Sequence, residues 1–313
     1  MTPRARLILN PSSGTESAPL HLDAINRALR GRYGPMEIVL TLGSGDAEAA
    51  ARLAAEDGCE VLFVAGGDGT LNEALNGLAA AGALARTAVG IVPLGTGNDF
   101  ASALGIPPAF EDALEVLLEG REVQADLGEV NGRVFANISG GGYIAEVSEA
   151  VTPQMKTVAG RLAYLVGGAQ VLLDFEPVRV TATAAPGGER FGTAMYAFAV
   201  CNARLIGGGK LIAPHAVIDD GLLDVCVIDG MPTLEFVALL RRVAQGSHVD
   251  DRRVRYLQVE RLALEFDRAV KINTDGELLE ASTCAYRVLP LAARFFVGER
   301  PFTTEEGTGS TPA

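Results

Sequence analysis

A buried strand that runs into a glycine-rich turn and then a helix is the feature that most constrains this chain. Residues 61–78 read VLFVAGGDGTLNEALNGL, where an apolar run meets glycines and a carboxylate before a helical pattern begins. Glycine lets backbone N–H groups approach a ligand closely, and a helix start adds donors and a positive dipole end. The stretch therefore predicts an anion site at the end of a strand.

The first 120 residues alternate strand-like and helix-like segments. Because strands separated by helices need crossover connections, the pattern predicts an α/β domain with a mostly parallel sheet covered on both faces. Apolar runs predict strands at 4–10, 36–41, 60–65 and 87–94, and 3.6-residue periodicity predicts helices at 19–34, 45–58 and 109–120.

Four polar loops follow these strands, at the sheet edge where ligands of α/β proteins collect. They read NPSSG, TLGSGD, GGDGT and PLGTGND. Each loop alone also fits an ordinary strand-to-helix turn, but four of them at one edge predict a polyphosphate site. Thr70 and Glu73 are spaced as a capping box, which predicts a helix beginning at Thr70.

Asp68 lies among these glycines, where a lone carboxylate would repel a phosphate. It fits the site if it acts through magnesium or through a hydroxyl proton, as phosphoryl transfer requires. The alternative is that Asp68 holds its turn by hydrogen bonds to the backbone.

The pattern changes to hairpins after residue 121. Asn131-Gly132 is a strong two-residue turn signal between alternating runs, and Gly187-Gly188 marks a second turn. Helical stretches at 160–175 and 232–246 interrupt the strands. This part of the chain predicts a mostly β second domain over 122–289, and the polar end at 304–313 predicts a disordered tail.

Composition limits the partners. A net charge of −13 argues against a nucleic-acid partner held by phosphate contacts. No apolar run reaches the roughly 18 residues needed to span a bilayer. The start of the chain does not read as a secretory signal, so we expect a cytoplasmic protein, mature as written.

The motifs NPSSG, GGDGTLNEALNGL and VPLGTGNDFASALG together resemble the diacylglycerol kinase catalytic-domain family, in particular the soluble bacterial lipid kinases of the YegS type. GGDGT alone also resembles loops of NAD kinases and phosphofructokinases, whereas GTGNDFA points to the lipid branch. The resemblance implies a nucleotide-binding α/β domain at 1–121, of the NAD kinase/diacylglycerol kinase-like fold and completed by about 290–303. It also implies an antiparallel β-sandwich substrate and metal domain at 122–289, with the active site in the cleft between them.

The same resemblance implies the chemistry. It predicts an ATP- and Mg2+-dependent kinase of the hydroxyl of a diacylglycerol-like lipid, in which Asp68 and magnesium position the γ-phosphoryl group and Glu277 takes the hydroxyl proton. The structural metal would be held by the carboxylate of Asp220 and by the carbonyls of Val217 and Leu222. The implied ATP contacts are Asn10, Pro11, Ser12, Ser13, Gly14, Thr41, Gly66, Gly67, Asp68, Gly69, Thr70, Leu71, Asn72, Glu73, Thr96, Gly97 and Asn98.

Alternatives remain at this point. The DDG and DGE motifs also fit plain turns. A kinase of a soluble substrate such as NAD, or a nucleotide-sensing regulator without turnover, would use similar loops. The lipid reading implies transient contact with a membrane surface and allows a homodimer. Five arginines within 241–256 are either a docking patch for anionic lipid or solvated surface.

Overall fold

A computed structural model describes residues 3–14, 19–150, 171 and 175–304. The chain divides into two compact units, of which unit 1 comprises Met1–Leu127, Val217–Asp220 and Pro290–Ala313, and unit 2 comprises Gly128–Ala216 and Gly221–Leu289. The first nine elements are β1 (Ala5–Leu9), α1 (Pro19–Tyr33), β2 (Glu37–Leu40), α2 (Asp46–Glu56), β3 (Val61–Gly66), α3 (Asp68–Ala80), β4 (Ala88–Pro93), α4 (Asp99–Ala103) and α5 (Phe110–Glu119).

The later elements are mostly strands. They are β5 (Glu122–Val130), β6 (Arg133–Phe135), β7 (Ile138–Gly142), α6 (Tyr143–Ala150), β8 (Val178–Ala185), β9 (Arg190–Cys201), β10 (Leu205–Ile206), β11 (Lys210–Leu211), β12 (Leu223–Asp229), α7 (Thr233–Ala244), a 3-10 turn (Ser247–Asp250), β13 (Val254–Val259), β14 (Arg261–Thr274) and β15 (Glu277–Phe296).

The strands of unit 1 pair in parallel. β1 lies between β2 and β3, β3 pairs with β4, and the last residues of β15 pair with β4. Parallel pairing brings the carboxyl ends of β1 to β4 to one edge of the sheet. The four glycine-rich loops therefore start side by side.

Helices cover both faces of this sheet. Leu7, Phe63 and Phe296 form a buried cluster with Leu29 of α1 and Leu117 of α5. On the other face, α2 packs against β1 and α3 packs against β3. With both faces buried, the strands are apolar along their whole length, as the sequence shows.

Unit 2 is built from antiparallel strands. Two of them, β9 and β14, pair with different strands along different parts of their length. One half of β9 pairs with β8 and the other half pairs with β7. β14 divides in the same way, and its pairing with β15 shifts register between Glu265 and Val270. The strands wrap a buried cluster that includes Phe135, Phe198 and Tyr286.

Turn chemistry explains the hairpins of unit 2. Asn131 and Gly132 both have positive φ, 49° and 87°, and they connect β5 to β6 in a two-residue turn. Gly187 and Gly188 also have positive φ, 105° and 67°, between β8 and β9. The two turns predicted from the sequence are therefore present.

A short segment packs differently from the expected domain division. Residues 217–220 lie inside the stretch that the sequence places in the second domain, yet they pack with unit 1. The reason is a set of hydrogen bonds: the amide of Ile218 donates to the carbonyl of Phe302, and its carbonyl accepts from the amide of Asp126. Asp219 accepts from the amide of Thr304 at 2.7 Å.

Some predictions fall outside the described residues. The helix expected over 160–175 and the disordered tail expected over 304–313 lie almost entirely there. Within the part of the chain that the structure describes, no helix is both long enough and apolar enough to cross a membrane.

Two glycines test the helix packing of unit 1. A methyl group on Gly77 of α3 would lie 2.2 Å from the carbonyl oxygen of Glu48 in α2, whereas one on Gly31 of α1 would meet nothing within 4 Å. We expect Gly77→Ala to lower the free energy of unfolding by about 1–3 kcal/mol, because backbone must move. Gly31→Ala should raise it by about 0.5–1 kcal/mol. Melting temperatures that do not separate in this order would contradict the packing.

Candidate active site

Backbone hydrogen bonds hold the four loops in register where they leave the sheet of unit 1. The amide of Asn10 donates to the carbonyl of Ala65, and the amide of Thr41 donates to the carbonyl of Leu9. Likewise, the amide of Leu94 donates to the carbonyl of Gly66. The loops are thus extensions of the strand ladder, and their residues start from a rigid edge.

Asn10 ties the first loop to helix α3. Its side-chain oxygen accepts from the amide of Ser12 at 2.9 Å, and its amide nitrogen donates to the hydroxyl of Thr70 at 3.0 Å. The same loop ends at Gly14, whose φ is 78°. A side chain there would lie 2.2 Å from the carbonyl oxygen of Leu94, so only glycine fits.

The helix start in the third loop corrects the predicted capping box. α3 begins at Asp68 and its N-cap is Gly67, which is extended and continues strand β3 directly into the helix. Thr70 is already inside the helix and its hydroxyl contacts Asn10. Glu73 accepts from the amide of Ala47, at the start of α2, at 3.1 Å. The spacing of Thr70 and Glu73 predicted a capping box, but in the structure both side chains form hydrogen bonds to residues of other segments.

The third and fourth loops approach each other backbone to backbone. A Cβ atom on Gly95 would lie 2.6 Å from the Cα atom of Gly67. Asn98, whose φ of 53° is in the left-handed region, closes this turn with two side-chain hydrogen bonds. Its side-chain oxygen accepts from the amide of Gly95 at 3.0 Å and its nitrogen donates to the Gly95 carbonyl at 2.7 Å. Such side-chain-free backbone is typical of phosphate-binding loops.

The carboxylate of Asp68 lies at the start of helix α4. It accepts from the amides of Asp99 and Phe100, both at the long distance of 3.4 Å. A Cβ atom on Gly97 would be 3.0 Å from Asp68 Oδ2 and 3.7 Å from Asp99 Oδ2. Two carboxylates therefore converge on Gly97. Asp99 is buried, and no sequence signal marked it as a site residue because its place beside Asp68 depends on a contact between distant segments.

The loops of unit 1 contain no lysine or arginine. An anion bound there would be met by backbone N–H groups and helix N-termini, and each of α2, α3 and α4 begins directly after one of the loops.

In unit 2 the DGE motif forms the tight turn between β14 and β15. Asp275 and Gly276 have φ of 48° and 100°. The buried carboxylate of Asp275 accepts from the amides of Ala136 at 2.6 Å, Ile138 at 2.8 Å and Asn137 at 3.2 Å. Asp275 is therefore the structural anchor of this turn.

Glu277, by contrast, is partly exposed. It is the first residue of β15 and pairs with Thr274 across the hairpin. Thr274 is buried, and its hydroxyl lies 2.8 Å from the hydroxyl of Ser139. The two acids of the motif thus differ in environment: Asp275 is buried and fixes the turn, whereas Glu277 follows the turn and is partly exposed.

The DDG motif also separates its two aspartates. The Asp219 carboxylate is bonded to the amide and the hydroxyl of Thr304. Asp220 follows at the end of the segment that packs with unit 1, and Leu222 lies one residue before β12. Among the described residues there is no cluster of three His, Cys, Asp or Glu side chains suited to a metal. The predicted ligand set contains only one carboxylate and would not form such a cluster.

A nearby acid in unit 2 is committed to other partners. Asp224 of β12 is buried and accepts from the hydroxyl of Tyr256 at 2.6 Å. Burial raises the pKa of the Asp224 carboxyl, while the hydrogen bonds from Tyr256 and Gln258 oppose that rise. Asp224 is therefore a hydrogen-bonded core group of unit 2.

A cavity of about 540 Å³ in unit 1 lies away from the glycine loops. Its lining includes Glu60 and Arg86, which precede β3 and β4, so it opens at the amino-terminal edge of the sheet. Its other arginines have structural partners: Arg294 pairs with Glu122, and Arg32 donates to carbonyls at the end of α5. The cavity therefore lies at the opposite edge of the sheet from the glycine-rich loops and is not part of the candidate active site.

Comparison with known proteins gives matches over nearly all of the chain. Residues 4–130 match the model of the diacylglycerol kinase catalytic domain, and residues 137–297 match that of the YegS C-terminal NAD kinase β-sandwich-like domain. A protein of Bacillus subtilis (strain 168) named diacylglycerol kinase is 34% identical over 277 residues, covering 88% of this chain and 89% of that protein. One of the same name from Staphylococcus carnosus (strain TM300) is 31% identical with the same coverage.

Solved structures share the fold. The crystal structure of a diacylglycerol kinase from Bacillus anthracis str. Sterne superposes with a TM-score of 0.73 at 22% identity, covering 95% of this chain and 97% of that one. A second structure from the same organism has a TM-score of 0.79 at 23% identity with the same coverage. The architecture of a catalytic domain followed by a β-sandwich-like domain is confirmed.

The anchoring role of Asp275 can be tested by stability. Asp275→Ala leaves buried amides of residues 136–138 without an acceptor, so we expect a loss of about 3 kcal/mol or more in the free energy of unfolding. Asp275→Asn keeps one acceptor oxygen and tolerates positive φ, and should lie in between. Asp267→Ala, on the exposed face of β14, is the matched control and should change stability by less than about 0.5 kcal/mol. Equal melting curves for Asp275→Ala and the control would contradict this role.

Proposed function

The chain belongs to the diacylglycerol kinase family, and from this membership we propose that it transfers the γ-phosphoryl group of ATP to the hydroxyl of a diacylglycerol-like lipid. Its class as a lipid kinase is what the sequence predicted. The kinase of a soluble substrate and the nucleotide sensor without turnover are not favoured, because the relatives that match over 88% of the chain are named diacylglycerol kinase.

The observation that carries the nucleotide part of the proposal is the backbone contact between Gly67 and Gly95 beside the Asp68 carboxylate. In the proposed complex the ATP phosphates lie against this contact and accept from the first amides of α3. The first loop, from Asn10 to Gly14, and Thr41 complete the predicted contacts. Preorganised backbone donors bind phosphate without a lysine.

Magnesium fits the acidic part of the same site. Asp68 and Asp99 bring two carboxylates towards Gly97, and hard oxygen ligands are those that Mg2+ prefers. We propose that these two residues hold it. When bound, it supplies charge neutralisation for the transferring phosphoryl group. Without it, the carboxylates would repel the triphosphate, so their presence in an anion site supports a metal-dependent enzyme.

Glu277 is proposed as the base that accepts the proton of the lipid hydroxyl. Its support is the contrast with Asp275, since the turn is already fixed by the buried acid and leaves Glu277 partly exposed. A base acts only if it reaches the hydroxyl in a defined position, and the anchored hairpin supplies that rigidity.

The remaining partners stay predictions. We propose a second, structural cation held by Asp220 with the carbonyls of Val217 and Leu222, in the segment that connects the two units along the chain. A cytoplasmic location with transient membrane contact is a prediction from the sequence, which also allows a homodimer.

Conservative substitutions test the two catalytic assignments. Asp68→Asn and Glu277→Gln keep the shape of each side chain and should each lower kcat by about a hundredfold or more. Transfer of labelled phosphate from ATP to a short-chain diacylglycerol measures this. Asp112→Asn, in the first turn of α5, and Glu280→Gln, on β15, are exposed controls and should retain activity. A variant that keeps more than about a tenth of kcat, under 1.4 kcal/mol of barrier, would reject its role.

The two neighbouring aspartates of the DDG motif form a matched pair for the structural cation. A metal that binds only the folded protein raises the melting temperature by mass action. We expect Asp220→Ala to remove the magnesium-dependent part of that rise. Asp219→Ala should lower stability through the lost Thr304 bonds but keep the magnesium response. The same magnesium response in both variants would place the cation elsewhere.

A further inference from the structure

Helix α7 of unit 2 carries an outward stripe that the fold does not use. Leu234 is 85% exposed and Val237 38% exposed, and Ala238 and Arg241 are exposed as well. The spacing of these four residues puts them on one side of the helix. We call them the α7 face.

The opposite side of α7 is fully packed. Phe236, Leu239 and Val243 are buried there. The ring of Phe236 stacks on that of Tyr196 at 4.6 Å and meets that of Tyr143 edge-on at 5.0 Å. The helix is therefore held by its inner side, and the exposure of Leu234 adds nothing to the core.

The acids near the α7 face are neutralised. Glu235, the only acid in the helix, pairs with Arg253. Asp251 pairs with Arg242 at 2.8 Å and with Arg253 at 3.1 Å. In a chain of net charge −13, two of the acids near the α7 face, Glu235 and Asp251, are thus already paired with arginines.

The unpaired arginines give that surface its sign. Arg255 stacks over the ring of Phe191 at 4.7 Å, and Arg242 and Arg253 form ion pairs. Three of the five arginines within 241–256 therefore have partners within the fold. Arg241 and Arg252 are exposed and, among the described residues, form no ion pair. Only Asp250 remains as an exposed acid close to them along the chain.

We propose that the α7 face is where the enzyme docks on a bilayer that contains anionic phospholipid, an assignment that rests on the lipid-kinase function above. Leu234 and Val237 enter the headgroup boundary, and Arg241 contacts lipid phosphates. Apolar area and basic charge act together in interfacial helices, because each alone binds weakly. The long arginine side chain reaches the headgroups while its stem covers apolar surface.

The docking helix and the proposed base are linked within unit 2. Tyr143, against which Phe236 packs, directly follows strand β7. The first residue of that strand, Ile138, donates its amide to Asp275 of the turn that carries Glu277. Docking through α7 therefore holds the same body that contains the base.

Charge substitutions at Ala238 give the sharpest test, because the side chain is exposed and small. Binding is measured by sedimentation with vesicles of phosphatidylcholine and phosphatidylglycerol at low salt, without ATP. We expect Ala238→Glu to raise the lipid concentration for half-maximal binding several-fold and Ala238→Lys to lower it. The Leu234→Gln and Val237→Gln double variant should raise it by about tenfold. Leu53→Gln on α2 and Arg30→Gln on α1 are exposed controls and should bind like the wild type.

Activity separates this inference from the proposed function. The double variant should show a raised KM for vesicle-borne diacylglycerol and an unchanged kcat/KM for a monomeric short-chain diacylglycerol. Wild-type protein that phosphorylates neither lipid would refute the function, while sedimentation still tests the surface. Wild-type binding by both Ala238 variants would overturn the docking assignment. The docking assignment would also be overturned if Leu234→Gln left vesicle binding unchanged and altered only the oligomeric mass of the protein in solution. That result would assign the face to a second copy of the chain.

Discussion

The close approach of the Gly67 and Gly95 backbones is the constraint on which the site in unit 1 depends. Any side chain on Gly95 would collide with Gly67, so the ends of β3 and β4 can come together only as bare backbone. That approach places the starts of α3 and α4 side by side and brings Asp68 to the amides of Asp99 and Phe100. The proposed phosphate site and the proposed metal site at this edge both depend on this one contact.

Acidic residues in this protein come in pairs with divided roles. Asp275 is buried and anchors a turn by accepting backbone amides, while its neighbour Glu277 is partly exposed. Asp219 is bonded to Thr304, while Asp220 is the predicted metal ligand. The Asp275 carboxylate, which accepts from three buried amides at 2.6–3.2 Å, has little capacity left to accept a proton or a metal. In each pair, the bonded acid fixes the backbone that carries the residue proposed for chemistry.

The sequence predicted what depends on local signals. Strand runs, helix periods and glycine turns specified the α/β part and the hairpins, and the helix expected at 45–58 is present as α2 (Asp46–Glu56). Motif resemblance specified the family and the lipid-kinase class. What the sequence could not specify are contacts between distant segments. Glu73 bonds Ala47 instead of capping its own helix, and Asp275 bonds residues more than 130 positions earlier.

Contacts between distant segments also explain two other differences between the structure and the predictions from sequence. The grouping of residues 217–220 with unit 1 depends on partners at Asp126 and Phe302, far away in the chain. The arginine-rich stretch looked uniform in sequence, yet three of its arginines are engaged because Glu235, Asp251 and Phe191 lie next to them in space. Spacing along a chain cannot reveal which charges are already paired.

An acidic protein that binds a triphosphate and, as we propose, docks on an anionic bilayer needs local attraction at two places. Its overall field repels both the triphosphate and an anionic bilayer, so attraction must be local. At the loops it comes from backbone N–H groups and helix starts, which carry no formal charge and hold their positions rigidly. At α7 it comes from pairing the nearby acids, so that Arg241 and Arg252 remain exposed without an ion pair among the described residues.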